Sequence, residues 1–385
     1  MKYIELEIYN DFACIGSECP FTCCAGWGII IDSASYDYYM TVKGDFGQRL
    51  KNCIVSENGI RRFVLTEEGR CSFLNDENLC DIYICLGEEH LCYTCKTYPR
   101  YRYLVGDIVF SGVSISCPEV ARFFLQHKDL LQIDFKEDNQ IVQNEDQIDW
   151  KLFNDSIQVF STTVGIAQDR ILSVGERLSL STLFISMFQS YIEDGREPSG
   201  LLELFSNHSN YEIILSEMGI YHRNLDAKVD FISMLLRFFR RVERFDVLLP
   251  ELYDLVCYFD QDNNFSISVE RWCIAYEVID LSDVQIWLEQ LFVYSIYRYF
   301  MQGFEKKDYY NKFLISTILF YELCVSTVVL HYLKFEKLPN LDELVMIVAH
   351  SSRIVEHEVS LRKIAVDHFI KEGVSETSFL FKLFS

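Results

Sequence analysis

Residues 14–32 read Cys14-Ile-Gly-Ser-Glu-Cys19-Pro-Phe-Thr-Cys23-Cys24-Ala-Gly-Trp27-Gly-Ile-Ile-Ile-Asp32. Four thiols fall within eleven residues. They can converge on one ion or cluster only if the backbone turns sharply, and Gly16, Pro20, Gly26 and Gly28 supply the turn chemistry. A second cysteine run follows: Cys71-SFLNDENL-Cys80-DIYI-Cys85-LGEEHL-Cys92-YT-Cys95-KTYPR, with Cys117-Pro118 beyond it. Eleven of the 14 cysteines and ten of the 17 glycines precede residue 120, so the first third is loop-rich and the rest is not.

The chain has 385 residues, half of them hydrophobic and 24% charged, so a sizeable core is expected and disulfides are not needed for stability. The start, MKYIELEIYNDFAC, lacks the apolar run of a signal peptide, which predicts a cytoplasmic protein. In that reducing compartment clustered cysteines are more often metal ligands or catalytic thiols than disulfides. Cys53, Cys257, Cys273 and Cys324 stand alone and read as small buried hydrophobes. The stretch Phe313–Leu330, apolar but for Glu322 at its centre, reads as a buried core helix and not a membrane span. A net charge of −22 argues against a nucleic-acid partner and is compatible with a lysine-bearing polypeptide.

The expected fold class is α+β: a cysteine-rich irregular module with short strands over 1–133, packed on a mostly helical domain over 150–385. Between them the polar segment 134–149 reads as an exposed linker. Strands are expected at 4–8, 27–31, 59–65 and 102–113. Apolar periodicity predicts helices near 151–161, 176–194, 200–218, 226–247, 267–280, 283–302, 309–334, 341–351 and 355–371. Ser282 with Gln285, and Asn340 with Glu343, offer capping boxes.

Spacing excludes some chemistry. A radical S-adenosylmethionine motif needs C-x3-C-x2-C, but Gly26 stands where the third cysteine would fall, and Cys92-x2-Cys95 is the lone Cx2C. There is no GxGxxG after a strand, no P-loop, no HExxH and no GxSxG. Thiolates suit both zinc and iron–sulfur, and the residues alone leave both open. His90 lies inside the cysteine region and is a minor candidate for contact with the metal group. His350 and His357, seven apart, read as ordinary surface or core histidines.

The pattern Cys14…Cys19-x3-Cys23-Cys24, then Cys71-SFL, Leu79-Cys80-Asp81-Ile82-Tyr83 and Cys95-x2-Tyr98-Pro99-Arg100, resembles the CxxxCxxCC family of zinc- or iron-chelating domains. The Gly-Trp after the double cysteine, LGEEHL before Cys92 and SCPEVAR at 116–122 make it more specifically similar to the flagellin lysine-N-methylase family. The likeness covers about the first 125 residues; the helical remainder resembles that family only in length and texture. It implies methyl transfer from S-adenosylmethionine to flagellin lysines in a protein carrying a 4Fe-4S cluster. It carries the metal ligands onto Cys14, Cys19, Cys23, Cys24, Cys71, Cys80, Cys95 and Cys117, leaving Cys85 and Cys92 as extras. Eight thiols exceed the four that one cluster needs, and a single cluster with surplus thiols nearby is the favoured arrangement. Aromatic faces favour sulfonium and methylated ammonium cations, which makes Trp27, Tyr98 and Arg100 further site candidates. The alternative function is a non-catalytic zinc or iron–sulfur redox sensor with a helical partner-binding body.

Overall fold

The computed structural model describes residues 1–19, 22–57, 59–138, 148–219, 225–259, 267, 269–280, 283–306 and 308–374. It is an α+β fold, mostly helical beyond residue 150. Strands β1 (Lys2–Leu6), β4 (Arg100–Val105), β5 (Ile108–Val113) and β6 (Ile133–Glu137) form one sheet in the order β4-β5-β1-β6. β1 runs parallel to β5 and antiparallel to β6, while β4 and β5 are an antiparallel hairpin. The expected single strand over 102–113 is thus two strands turning at Gly106, whose φ of +59° suits the turn. The start of the expected linker, 134–137, instead pairs with β1 along Lys2–Glu5; residues 139–147 lie outside the described set.

β5 is buried on both faces, so it reads as a continuous apolar run and not an alternating one. The helix Val284–Tyr299 locks onto this sheet through Tyr297, whose hydroxyl reaches the carbonyls of Ile4 (2.6 Å) and Ser111 (2.7 Å) on neighbouring strands. The 27-residue helix Tyr309–Phe335 runs through the body with 94% of its most apolar stretch covered by protein, as a core helix requires. Sheet, Pro118–Gln126 helix and C-terminal helices share one large hydrophobic core.

Residues 29–92 build a second, small core around Ile29, Tyr39, Phe63, Phe73 and Ile82. Two helices there, Ser33–Thr41 and Gly44–Asn52, were not expected; Asp32 caps the first by accepting from the Ser35 amide. The hairpin β2 (Ile54–Glu57) with β3 (Ile60–Phe63) falls near the expected 59–65 strand, but 27–31 forms only an isolated bridge, Ile30 to Arg62. In the body, the expected 200–218 helix is broken at Asn207, whose side chain accepts from the Ser209 amide. The expected 226–247 helix stops at Phe239, and the left-handed Arg244 precedes a separate short helix, Phe245–Leu248. A further helix, Pro250–Phe259, begins on a proline that needs no amide partner there. The Asn340–Glu343 capping box is formed, whereas Ser282 lies outside the described residues.

Candidate functional site

Sharp turns place the first four thiols. Gly16 opens a short 3-10 turn and its amide points at Cys14 Sγ (3.4 Å), while Gly26 adopts φ +82° just after the double cysteine. The Cys71 amide donates to the Cys24 carbonyl at 2.7 Å, and bridges Leu65–Cys71 and Leu74–Cys80 bring the second run alongside. Cys24, Cys71, Cys80, Cys92 and Cys95 all line the small core.

The electrostatics divide the thiols into two sets. Cys23 is pushed well up by the hydrogen bond its thiol donates to Cys24, by burial, and by the nearby Cys24, Cys14 and Cys117. Cys117, pushed up to about 11 chiefly by burial, also lies near Cys19 and Cys14. Cys71, pushed up to about 12 by burial, neighbours Cys24, Cys80 and Cys92. Cys95 is raised well above the ordinary thiol range by its bond to Cys92, by burial, and by Cys92, Cys24 and Cys23. Cys14, Cys19, Cys23 and Cys117 therefore form one neighbourhood, and Cys24, Cys71, Cys80, Cys92 and Cys95 another. The vicinal pair 23–24 joins them. Cys24 itself is lowered to about 7, first by the bond from Cys23 and further by Thr22, Arg353 and Arg70.

Cys92, an extra in the sequence reading, is 1% exposed and belongs to the second set, whereas Cys85 is exposed on the Asp81–Leu86 helix. His90 stacks on Tyr38 (4.0 Å between ring centres). Every cysteine is unbridged. Among the described residues no group of three or more histidine, cysteine or carboxylate side chains is placed to hold a metal ion.

The double-cysteine loop is seated on the C-terminal end of the Leu341–Glu356 helix. Arg353, buried there, donates to the carbonyls of Ala25 (2.8 Å) and Thr22 (3.2 Å). Trp27 donates to the Cys23 carbonyl (2.8 Å) and stacks on His357 at 4.4 Å, with Tyr98 5.6 Å from Trp27. The Tyr98 hydroxyl meets Ser116 Oγ (3.0 Å), which in turn meets His357 Nε2 (2.8 Å). Behind them Glu356 accepts from Ser114 (2.7 Å), Tyr294 (2.8 Å) and Ser352 (2.6 Å). Burial opposes ionisation of Glu356, but Arg298, His357 and the serine hydroxyls hold its carboxyl below the usual range. Burial pushes His357 down to about 4, so its ring is neutral at physiological pH.

The structure thus brings Trp27 and Tyr98 together and sets Arg100 apart. The Arg100 guanidinium donates to the carbonyls of Tyr9 (3.2 Å) and Phe12 (2.7 Å), fixing the segment that leads into Cys14. Sequence reasoning missed Arg353, Glu356, Ser114 and Ser116 and set His357 aside.

Fold and site together define a helical protein whose body carries a thiol-rich module clamped to one of its buried helices. The chain belongs to the FliB lysine N-methylase C-terminal domain family, whose model matches residues 160–383. The match lies in the helical body, which the sequence reading took to resemble the family in length and texture alone. A relative from Salmonella muenchen, flagellar biosynthetic protein FliU, is 27% identical over 139 residues, 34% of this chain and 82% of the relative. Proteins named lysine-N-methylase from Salmonella choleraesuis and Salmonella typhimurium are each 27% identical over 138 residues, 34% of either chain. The matched segment therefore spans about a third of those lysine-N-methylases. No solved structure matches the chain.

Proposed function

We propose that the chain is a protein-lysine N-methyltransferase that moves methyl groups from S-adenosylmethionine to surface lysines of flagellin, with an iron–sulfur cluster, or alternatively zinc, held by its thiols. The observation that carries this reading is the junction: the family-matched helical body supplies Arg353 and His357 to the loop bearing Cys23 and Cys24.

The donor chemistry fits a thiophilic metal group. Nine unbridged thiols lie in two adjoining neighbourhoods, and several are forced into the protonated state by burial and by one another. A cation would relieve that penalty. Cys14, Cys19, Cys23 and Cys117, or Cys24, Cys71, Cys80, Cys92 and Cys95, would hold it. When bound, the group supplies a cross-link between the 14–24 loop and the rest of the module.

The protein's own residues address the amine. A lysine ε-ammonium has a reference pKa near 10.4 and must lose its proton before attacking a sulfonium methyl. The faces of Trp27, Tyr98 and neutral His357 disfavour the charged form by excluding water. The charge of −22 attracts the cationic substrate from a distance. Turnover is expected to rise between about pH 6 and 9 and affinity to fall as salt screens the acidic surface. Purified metal-loaded protein, flagellin and S-adenosylmethionine, assayed by mass spectrometry for added methyl groups, provide the test. No lysine methylation at any pH overturns the reading in favour of the redox sensor.

A further inference from the structure

We propose that the cleft around Arg240, Arg244 and Tyr253 is the binding site for the methyl donor, an adenosine joined through a sulfonium to an α-amino acid. This rests on the S-adenosylmethionine-dependent reading above and gives it a location.

The cleft has a volume of about 410 Å³, within the range of small-molecule sites, and is lined by the segment that follows the Leu225–Phe239 helix, by the start of the Phe245–Leu248 helix and by the Pro250–Phe259 helix. Its chemistry is unusual for this chain. In a protein of net charge −22, residues 237–244 read RFFRRVER, and two of these arginines, Arg240 and Arg244, line the same cavity. Guanidinium groups match a carboxylate with two parallel hydrogen bonds, which an amino-acid tail supplies. Also lining the cleft are Phe245, which is buried, and Tyr253, edge-on to it at 5.5 Å and itself exposed. The exposed Tyr253 ring gives an adenine a face to pack on. Asp246, exposed on the same wall, is an acceptor for ribose hydroxyls or the amino group of the tail.

Position supports the assignment independently of composition. Arg244 adopts a left-handed backbone (φ +59°), and its guanidinium lies against the 66–70 turn of the cysteine module; a Cβ at Gly69 would stand 3.2 Å from it. The Gly69 carbonyl accepts from the Gly26 amide at 2.9 Å, in the loop that carries Cys23, Cys24 and Trp27. One wall of the cleft, Arg244, therefore touches the turn that is hydrogen-bonded to the thiol-bearing loop, and that loop also carries Trp27 of the aromatic group proposed to hold the lysine.

Isothermal titration of the full-length, metal-loaded chain with S-adenosylmethionine and with S-adenosylhomocysteine tests this without an activity readout. Arg240→Ala and Arg244→Ala are expected to weaken binding of both by about tenfold or more, the loss expected for a charge-assisted contact. Tyr253→Ala, a truncation at an exposed ring, is expected to weaken binding several-fold and covers the case in which Arg244→Ala disturbs the fold. Lys151→Ala, in an exposed pair with Glu197 that does not line the cleft, is the control and is expected to bind as wild type. If wild type binds and all three cleft variants bind equally well, the site is elsewhere and the donor reading stands. If wild type binds neither compound, the S-adenosylmethionine reading fails, and this inference with it.

Discussion

The two hydrophobic cores of this molecule are built on different terms. The body packs long helices over a sheet, and its buried Glu289 is held by Arg177 (2.7 Å) and Arg170 (2.9 Å). The small core has nine fully buried residues, and two of them, Cys71 and Cys92, are thiols. A segment with so little apolar material gains little from burial. Thiols at its heart, pushed towards protonation by their surroundings, are where a metal would contribute most. One region folds by excluding water; the other has little apolar surface with which to do so.

The comparison breaks most decisively on metal removal. Chelation or oxidative loss of the metal group is expected to unfold the module while the helical body stays intact, read by limited proteolysis; a protected fragment spanning 14–98 from metal-free protein would falsify the contrast. Next in size, Cys→Ala at Cys23, Cys24, Cys71, Cys80 or Cys95 is expected to lower bound metal sharply, and the same change at Cys257, Cys273 or Cys324 to leave it unchanged. Elemental analysis of purified variants decides this. Equal metal in both groups means the thiol neighbourhoods are not the binding site.

Two buried titrating groups sharpen the comparison in opposite directions. In the body, burial raises Glu322 to about 7, with Lys228 opposing. A carboxyl raised in the folded state favours folding below its unfolded pKa of 4.5, and that contribution, about 3 kcal/mol, is lost as pH rises towards 7. At the junction His357 is depressed to about 4, so its contribution is present above pH 6.5 and is lost, again about 3 kcal/mol, as pH falls towards 4. Denaturant titrations at several pH values should therefore show Glu322→Gln removing a loss on the alkaline side and His357→Gln removing one on the acid side. Identical pH profiles for wild type and both variants would refute both assignments. Smallest is Arg353→Ala, which leaves the Ala25 and Thr22 carbonyls without their donor and costs about 1–3 kcal/mol. Amide exchange should accelerate in 22–28 and not in the Tyr309–Phe335 helix; uniform acceleration would show that Arg353 serves the whole fold.

Much of the body is legible in the sequence because helical periodicity survives even in buried segments, and Asn340 with Glu343 announces its helix by local chemistry alone. The Trp27–Ile31 run is not, since a β-branched stretch reads as a strand although it forms a single bridge, at Ile30, and no ladder. Clustering marks the thiols as a group but does not divide them, because the division depends on which way Cys23 and Cys24 point from adjacent positions. The junction is harder still. Ser114 meets Glu356 across 242 residues and Ser116 meets His357 across 241, and no local pattern encodes such pairings.

The path of the chain through the sheet has a consequence for how such a molecule is assembled over evolutionary time. The backbone leaves β1 at Leu6 and returns to the same sheet at Arg100, and the Arg100 guanidinium ties the departing strand to the returning one at Tyr9 and Phe12. The cysteine module is thus a guest inserted into a host whose doorway is already closed behind it. Changes of length inside the excursion are therefore expected to leave the register of β1 against β5 in place so long as the seat on Arg353 and His357 is kept.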